Sequence, residues 1–445
     1  MNRLLFLMRN YTKKIWFRCL LACVIAIFAF FAGPYFQAYS PESLDKIVSK
    51  DGLADILTIV ASSMLAVSIF SLSIIVQAFS SATNNASPRT NSLLMDNPAT
   101  NNALGTFIGA FLFSITGLIG IRSNFYDDQI LNLLFFLTIG LIVIIIGVFL
   151  AWINQATKLG RVNTTIDFVE KALNSAIHER ITSVVHKCNT IDLNKDHDQF
   201  KYPLYFEKLG YIQYIDYEAL ANCAKNFDLD IYVYANPGTF VSTAKASIYT
   251  TQEVDDDTQD TIRNCFILNG HRTFNQDPRF GFIVLSEIAL RAMSPAVNDP
   301  GTAVDILNTQ LTSIKFWIDG LKAKKAKQET LQASISHHTQ LAPSQSTKTT
   351  HNKPDDSTSD DQDTDFKRVY VQPMKGEDVL EDIFGQIIID ACSNRIVVVR
   401  LRKTLEFIQG FDDQDFSPHV QGWFDLLHAR AQKHFHQSEL DRIFN

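Results

Sequence analysis

Long uncharged stretches occupy the first third of the chain. No charged residue occurs between Arg18 and Glu42, between Asp55 and Arg89, between Asp96 and Arg122, or between Asp128 and Lys158. Each stretch contains roughly 20 or more mostly apolar positions, which is enough to cross the hydrocarbon core of a bilayer. The pattern predicts a transmembrane domain over residues 1–157 with four helices, at about 17–38, 54–79, 103–121 and 130–153.

The distribution of lysine and arginine predicts the orientation of these helices. Basic residues precede the first predicted helix and follow the fourth: Arg3, Arg9, Lys13, Lys14 and Arg18, then Lys158 and Arg161. Because basic loops stay on the cytoplasmic side, we expect a multi-pass membrane protein with both termini in the cytoplasm. An uncleaved first helix is favoured over a signal peptide, since further apolar stretches follow it.

Helical and strand patterns alternate after the membrane domain. Apolar residues recur at helical spacing after Lys158, so residues 158–206 are predicted to form a helical connector. A strand is predicted around Tyr211–Ile215, followed by a helix capped by Asp216. Residues 207–321 and 367–445 are predicted to form a mixed α+β cytosolic domain. The predicted fold class is therefore an N-terminal four-helix transmembrane bundle followed by this domain.

Residues 322–366 interrupt the α+β pattern. The segment is rich in Lys, Gln, Ser, Thr, His and Asp and has few large apolar side chains. Such a composition buries too little apolar surface to offset the entropy of ordering. We predict a disordered insertion.

The second predicted membrane helix is rich in hydroxyl groups. Ser68 and Ser71 lie within it and Gln77 near its inner end. Two interpretations stay open: close helix packing through small residues, or a pore lined by these side chains. No acidic or basic residue lies in mid-membrane, so the usual residues of a proton relay are missing.

Polar residues concentrate between residues 270 and 311. A helix is predicted over Gly281–Met293, ended by Ser294-Pro295, and a second helix begins at Asp299-Pro300. The polar side chains flanking these helices are Arg272, Gln276, Asp277, Arg291, Asn298 and Asp299. Free N–H groups at two helix starts could attract an anion, so these residues are our candidates for a ligand site. The alternative is that they cap helices and face solvent.

Composition excludes several classes of function. The net charge of −7 and the lack of a basic, aromatic-rich run argue against nucleic acid as a partner. The six cysteines show no C-x-x-C spacing, and no sequence motif for a metal site, cofactor or catalytic group is present. We therefore predict no metal, no cofactor and no catalytic residue.

Several motifs in one order resemble a known family. They are Ser87-Pro88-Arg89, LGTFIGAFLF at 104–113, GYIQYID at 210–216, PGTFV at 237–241, RTFNQDPRFGF at 272–282 and LRAMSPAVNDPGTAV at 290–304. Together they resemble the bacterial predicted membrane proteins grouped as domain of unknown function 2254. The resemblance covers nearly the whole chain and implies a membrane topology, but it implies no reaction.

Three functional hypotheses follow. The first is a homo-oligomer in the lipid bilayer of the bacterial inner (plasma) membrane. Its cytosolic domain binds a small anionic ligand or a protein partner and regulates the membrane part. Ser87, Pro88 and Arg89 would then couple membrane and cytosol. The second is an oligomeric ion or small-solute channel lined by the second span. The third is a membrane-bound enzyme, although no nucleophile and base are recognisably paired in sequence.

Overall fold

The structure is a computed structural model in which residues 48–95, 97–126, 128–182, 188–191, 199–340, 366–411 and 413–444 are described, together with Phe17, Leu20, Leu21 and Val24. The chain divides into two compact units. Residues 4–168 form one, called here the membrane unit. The described residues from 169 onward form the other, called here the mixed unit.

The membrane unit is helical throughout its described part. Its elements are α1 (Lys50–Asn85), a 3₁₀ turn (Pro88–Thr90), α2 (Asn91–Met95), α3 (Pro98–Arg122) and α4 (Asp128–Ala156). Three stretches in the described residues are long and apolar enough to cross a membrane: α1, α3 and residues 130–156 of α4. They confirm the last three predicted membrane helices. The first, at 17–38, lies almost entirely outside the described residues.

Local capping sets the starts of α1 and α3. The Ser49 hydroxyl accepts a hydrogen bond from the Gly52 N–H at 3.1 Å, and the Asn97 side chain accepts one from the Ala99 N–H at 2.9 Å. Both helices extend beyond their predicted ends because polar residues continue the helix past the apolar stretch. α1 packs against α3 and α4 around a core that includes Phe107 and Trp152.

α5 (Val162–Thr182) crosses the boundary between the units, which falls after Phe168. The other helices of the mixed unit are α6 (Tyr217–Asn226), α7 (Asp256–Arg263), α8 (Pro278–Ala292), α9 (Pro300–Gln340), α10 (Gly376–Ala391), α11 (Arg395–Gln409), α12 (Val420–Ala431) and α13 (Gln437–Phe444). α8 packs on α9 and α10, and α11 packs on α9 and α12.

Two sheets complete the mixed unit. The strands are β1 (Asn189–Thr190), β2 (Tyr202–Leu204), β3 (Gly210–Ile215), β4 (Ile231–Val233), β5 (Phe240–Val241), β6 (Ile248–Thr250), β7 (Phe266–Asn269) and β8 (Val369–Val371). One sheet has the order β1-β8-β4-β6-β2, and the other is β5-β3-β7. β8 is parallel to both its neighbours, and the other pairs are antiparallel. This is the mixed helix-and-sheet region predicted after the membrane helices.

Residues 158–206 differ from the predicted helical connector. The helix ends at Thr182, and β1 and β2 fall within the same range as strands of the five-stranded sheet. Strands of two and three residues carry too few positions to show a period-2 pattern. Their partners lie far along the chain, so local sequence does not indicate them.

The first part of the predicted disordered insertion is helical. α9 continues from Pro300 to Gln340 and so includes residues 322–340, while residues 341–365 lie outside the described residues. This part of α9 contains four lysines, three alanines and three glutamines. These residues have high helix propensity, which lets a helix anchored in the unit continue without an apolar face of its own.

Candidate functional site

Asp277 lies at the start of α8 and is 2% exposed. One carboxylate oxygen accepts a hydrogen bond from the Phe280 N–H at 3.1 Å, so Asp277 is the N-cap residue. The other accepts two from Arg272, from Nε at 2.8 Å and Nη2 at 2.7 Å. Burial raises the pKa of the Asp277 carboxyl, and the Arg272 charge opposes that rise. The positive charge of Arg272 therefore offsets part of the cost of burying the Asp277 carboxylate.

The Pro237-Gly238 turn packs against this ion pair. Gly238 has a φ of +85°, and any Cβ there would collide with the Asp277 carboxylate. Its N–H donates to the Ile212 carbonyl at 2.8 Å, which fixes the turn on β3. Only glycine satisfies both the backbone conformation and the close approach. Two of the motifs singled out in the sequence, around Pro237 and Arg272, thus meet in space.

Gln276 binds the same sheet through its carboxamide. Its Oε1 accepts a hydrogen bond from the Ile215 N–H at 2.9 Å, and its Nε2 donates to the Ile215 carbonyl at 3.3 Å. The side chain thereby satisfies two backbone groups at the end of β3. Arg272, Gln276 and Asp277 together join the three-stranded sheet to α8, and their polar atoms are engaged in that junction.

Arg279, the second residue of α8, pairs with another helix. Its guanidinium hydrogen-bonds both carboxylate oxygens of Asp382 on α10, with Nη2 to Oδ1 at 3.0 Å. It also lies 3.5 Å from an Asp378 carboxylate oxygen. Bidentate pairing of this kind fixes geometry as well as charge. The charged start of α8 is therefore tied to the sheet on one side and to α10 on the other.

Arg291, Asn298 and Asp299 lie at the opposite end of α8, about 22 Å from its start at 1.5 Å per residue. Asn298 adopts a left-handed backbone with φ +48°, which turns the chain into α9. The Asp299 carboxylate accepts from the Thr302 N–H at 3.1 Å and hydroxyl at 2.6 Å, and these bonds lower the pKa of Asp299. The six candidates therefore form two groups rather than one cluster.

The membrane candidates are similarly divided. Ser68 and Ser71 are buried among the helices of the membrane unit, whereas Gln77 is exposed on another face of α1. The Ser68 hydroxyl donates to the Met64 carbonyl at 2.7 Å, within its own helix. In the 3₁₀ turn, the Ser87 hydroxyl accepts from the Arg89 N–H at 3.2 Å. Pro88 is the first residue of that turn, and Arg89 is exposed.

A cavity of about 150 Å³ lies elsewhere in the mixed unit. Its walls come from α5, β1, α9, β8, α10 and the segment before α12: Arg180, Thr190, Trp317, Leu321, Val371, Pro373, Met374, Gly376, Val379, Asp415 and Phe416. Burial lowers the pKa of Arg180, and Tyr217 and Asp277 act against that shift from a distance. Among the described residues, no side chain forms a hydrogen bond or ion pair with the Arg180 guanidinium.

Arg180 is not among the candidates that the sequence predicts. It lies three residues after Ile177 and directly before Ile181, at the edge of the apolar face of α5. A lone arginine beside an apolar face is a weak signal because long basic side chains often extend to solvent. The cavity itself is built from segments that are distant in sequence.

A family model described as predicted membrane protein DUF2254 matches residues 12–331. The match covers more than two thirds of the chain. The chain belongs to this family. No curated protein matches, and no solved structure matches.

The DUF2254 match includes the whole Arg272–Asp277 junction, both ends of α8, and Arg180. It ends before β8 and α10, so the cavity wall formed by Pro373, Gly376 and Asp415 lies beyond the matched residues. The cavity is therefore completed by a part of the chain that the family model does not describe.

Proposed function

We propose that this DUF2254 protein binds a small anion in the Arg180 cavity, and that binding regulates the membrane-embedded part of the molecule. The observation that carries the proposal is a half-buried arginine at the wall of a cavity, whose guanidinium has no hydrogen-bonded or ion-paired acid among the described residues. The other arginines of this region, Arg272 and Arg279, each pair with an aspartate. Arg180 is the exception among these three.

Electrostatics favours an anion at this position. An arginine stays protonated even when its pKa is lowered, so Arg180 keeps its positive charge inside the unit. Partial burial of a charge without a partner is unfavourable, and a bound anion would offset that cost. The start of α10 at Gly376 lines the same cavity, and Lys375 in the capping position makes no side-chain cap bond. Helix-start N–H groups would add a second favourable contact.

The size of the cavity restricts the ligand. About 150 Å³ admits an ion of a few non-hydrogen atoms, such as inorganic phosphate or a short carboxylate. Asp277 lies within electrostatic reach of Arg180. An anion at Arg180 would change the electrostatic potential at Asp277, which lies at the junction of β3 and α8. We place this regulation on the cytosolic side, in keeping with the predicted topology.

The test uses the full chain in nanodiscs. We expect phosphate or acetate to raise the midpoint of thermal unfolding relative to chloride at equal ionic strength, because a ligand that binds only the folded state stabilises it. Arg180→Gln should lose that shift, measured against its own ligand-free midpoint. Arg402→Gln is the matched control, since Arg402 pairs with Glu406 on α11, outside the cavity.

An unchanged midpoint in the wild type with both ions, or an equal shift in Arg180→Gln, would contradict the proposal. Native mass spectrometry of the same sample provides an independent measurement. It should show a retained small mass in the wild type and in Arg402→Gln, and none in Arg180→Gln.

An oligomeric channel is the second candidate, and exposed polar side chains on α1, which alternate with the exposed Ile59, Ile69 and Phe70, favour it. Ser62, Ser63, Ser73 and Gln77 are all exposed in the membrane unit. The exposed positions of α4 are instead large and apolar, as Val143, Ile146 and Leu150 illustrate. A lipid-facing surface is expected to look like α4. A pore between subunits lined by these exposed side chains would use a different face of α1 from Ser68 and Ser71, which are buried among the helices of the membrane unit.

A further inference from the structure

Two thiols are in contact inside the mixed unit. Cys223 belongs to α6 and Cys265 directly precedes β7, and their Sγ atoms are 3.9 Å apart. Neither cysteine is part of a disulfide, and both are buried, at 7% exposure for Cys223 and 4% for Cys265. The Cys265 thiol also lies 3.5 Å from the Thr261 carbonyl oxygen, which fixes its orientation. The fold thus brings together two thiols that are 42 residues apart in sequence.

The separation is small enough for a covalent bond to form with little movement. A disulfide has a sulfur–sulfur distance of about 2.0 Å, so the two sulfurs would need to approach by roughly 1.9 Å. The hydrogen bond between the two thiols also matters. It lowers the pKa of Cys223 and outweighs the opposing effect of burial. Because the thiolate is the reactive form, Cys223 is the more nucleophilic member.

Cys392 provides the contrast. It is buried too, but burial raises the pKa of its thiol to about 11. No second thiol contacts it in the part of the chain that the structure describes. Its environment suits an inert structural cysteine.

We infer that Cys223 and Cys265 form a peroxide-sensitive dithiol. Hydrogen peroxide would oxidise the Cys223 sulfur, breaking the O–O bond to give a sulfenic acid and one water molecule. The Cys265 sulfur would then attack the Cys223 sulfur, forming the S–S bond and releasing the hydroxyl with the Cys265 proton as a second water molecule. The two thiols lose two electrons in total, and the peroxide gains them.

The consequence of this bond follows from its position. The carbonyl of Cys265 accepts a hydrogen bond from the Asp216 N–H at 2.9 Å, and Asp216 caps α6. The cross-link would therefore fasten α6 covalently to the start of β7, beside the end of β3 that Gln276 holds. Oxidation would restrict any separation of α6 from the three-stranded sheet. This device is independent of anion binding at Arg180.

The experiment treats the full chain in nanodiscs with hydrogen peroxide, then alkylates all remaining thiols under denaturing conditions and maps peptides by mass spectrometry. We expect a linked peptide pair containing Cys223 and Cys265 that dithiothreitol separates. The pair should form at least tenfold faster than Cys392 loses its free thiol. Cys392→Ser should retain the link, whereas Cys223→Ser and Cys265→Ser should lack it.

The wild-type measurement decides the matter even if a serine variant fails to fold. The inference would be overturned if Cys223 and Cys265 still react with the alkylating reagent after peroxide treatment. It would also be overturned if they lose their free thiols no faster than Cys392 does. A second readout is the midpoint of thermal unfolding, which the cross-link should raise by restricting the unfolded chain. A link that forms without raising the midpoint would show that the pair does not couple α6 to the sheet.

Discussion

Asp277 connects three segments of the mixed unit through one buried carboxylate. It caps α8, pairs with Arg272 and leaves room only for glycine in the turn at Gly238. Asp277 caps a helix, as one of the two interpretations of the sequence expects, and it also belongs to a charged cluster. Its role in binding a ligand stays a prediction. Within that cluster the carboxylate oxygens of Asp277 accept hydrogen bonds from Arg272 and from the Phe280 N–H.

Removing the charge of Asp277 should therefore be costly. Asparagine caps a helix as well as aspartate does, so Asp277→Asn isolates the loss of the ion pair. We expect the free energy of unfolding to fall by about 2–3 kcal/mol, somewhat less than for a fully buried pair, because Arg272 is 22% exposed. Denaturant unfolding of the full chain in nanodiscs measures this change.

Asp299→Asn is the control for that substitution. Asp299 caps a helix as well, but it is exposed and has no arginine partner in the described residues. We expect its substitution to change the stability by less than about 0.5 kcal/mol. Equal losses in the two variants would mean that the Arg272–Asp277 pair adds nothing beyond capping.

At the scale of elements, the sequence predicts where helices begin, but it does not predict which helices and strands pack against one another. Asp216 and Asp299-Pro300 start helices where the sequence predicts them, because capping depends only on neighbouring residues. The separation of Asp277 from Asp299 follows from the length of α8, which the helix-ending Ser294-Pro295 also makes predictable from the sequence. The Arg180 cavity depends on which helices and strands meet, and single-residue patterns carry no such information.

α1 offers a test of the channel hypothesis within one helix. Replacing exposed Ser73 and Gln77 by leucine should abolish ion flux in liposomes if their face lines a pore, and should leave stability nearly unchanged. Ser71→Leu should instead destabilise the protein by about 1–3 kcal/mol, because Ser71 is buried among the helices of the membrane unit. Flux that persists in the Ser73, Gln77 variant, or its absence in the wild type, would remove the channel hypothesis.

At the scale of the whole molecule, the number of membrane crossings determines where the two ends lie. The described residues contain three candidate spans, and a fourth is predicted at 17–38. An even number of crossings places both termini on one side of the membrane, whereas an odd number separates them. The basic residues before Cys19 predict that both lie in the cytoplasm.

Reporter fusions can measure this arrangement directly. A cytoplasm-dependent fluorescent reporter should be active when fused at either terminus of the full chain. A reporter that requires export should be active in the loop near Val48 and in the turn near Ser123. Reporters of opposite behaviour at the two termini would mean that residues 17–38 do not cross the membrane. A fusion after Lys158 is the control, since it follows the last candidate span.

The position of β8 has a consequence for how the protein is made. β8 lies between β1 and β4, although it is synthesised more than 100 residues after β4. A ribosome adding about 5–20 residues per second would leave the facing edges of β1 and β4 unpaired for several seconds or longer. Such edges invite pairing with other chains, so nascent protein should need protection during that interval. A fragment cut at residue 331, where the family match ends, would never leave this vulnerable state.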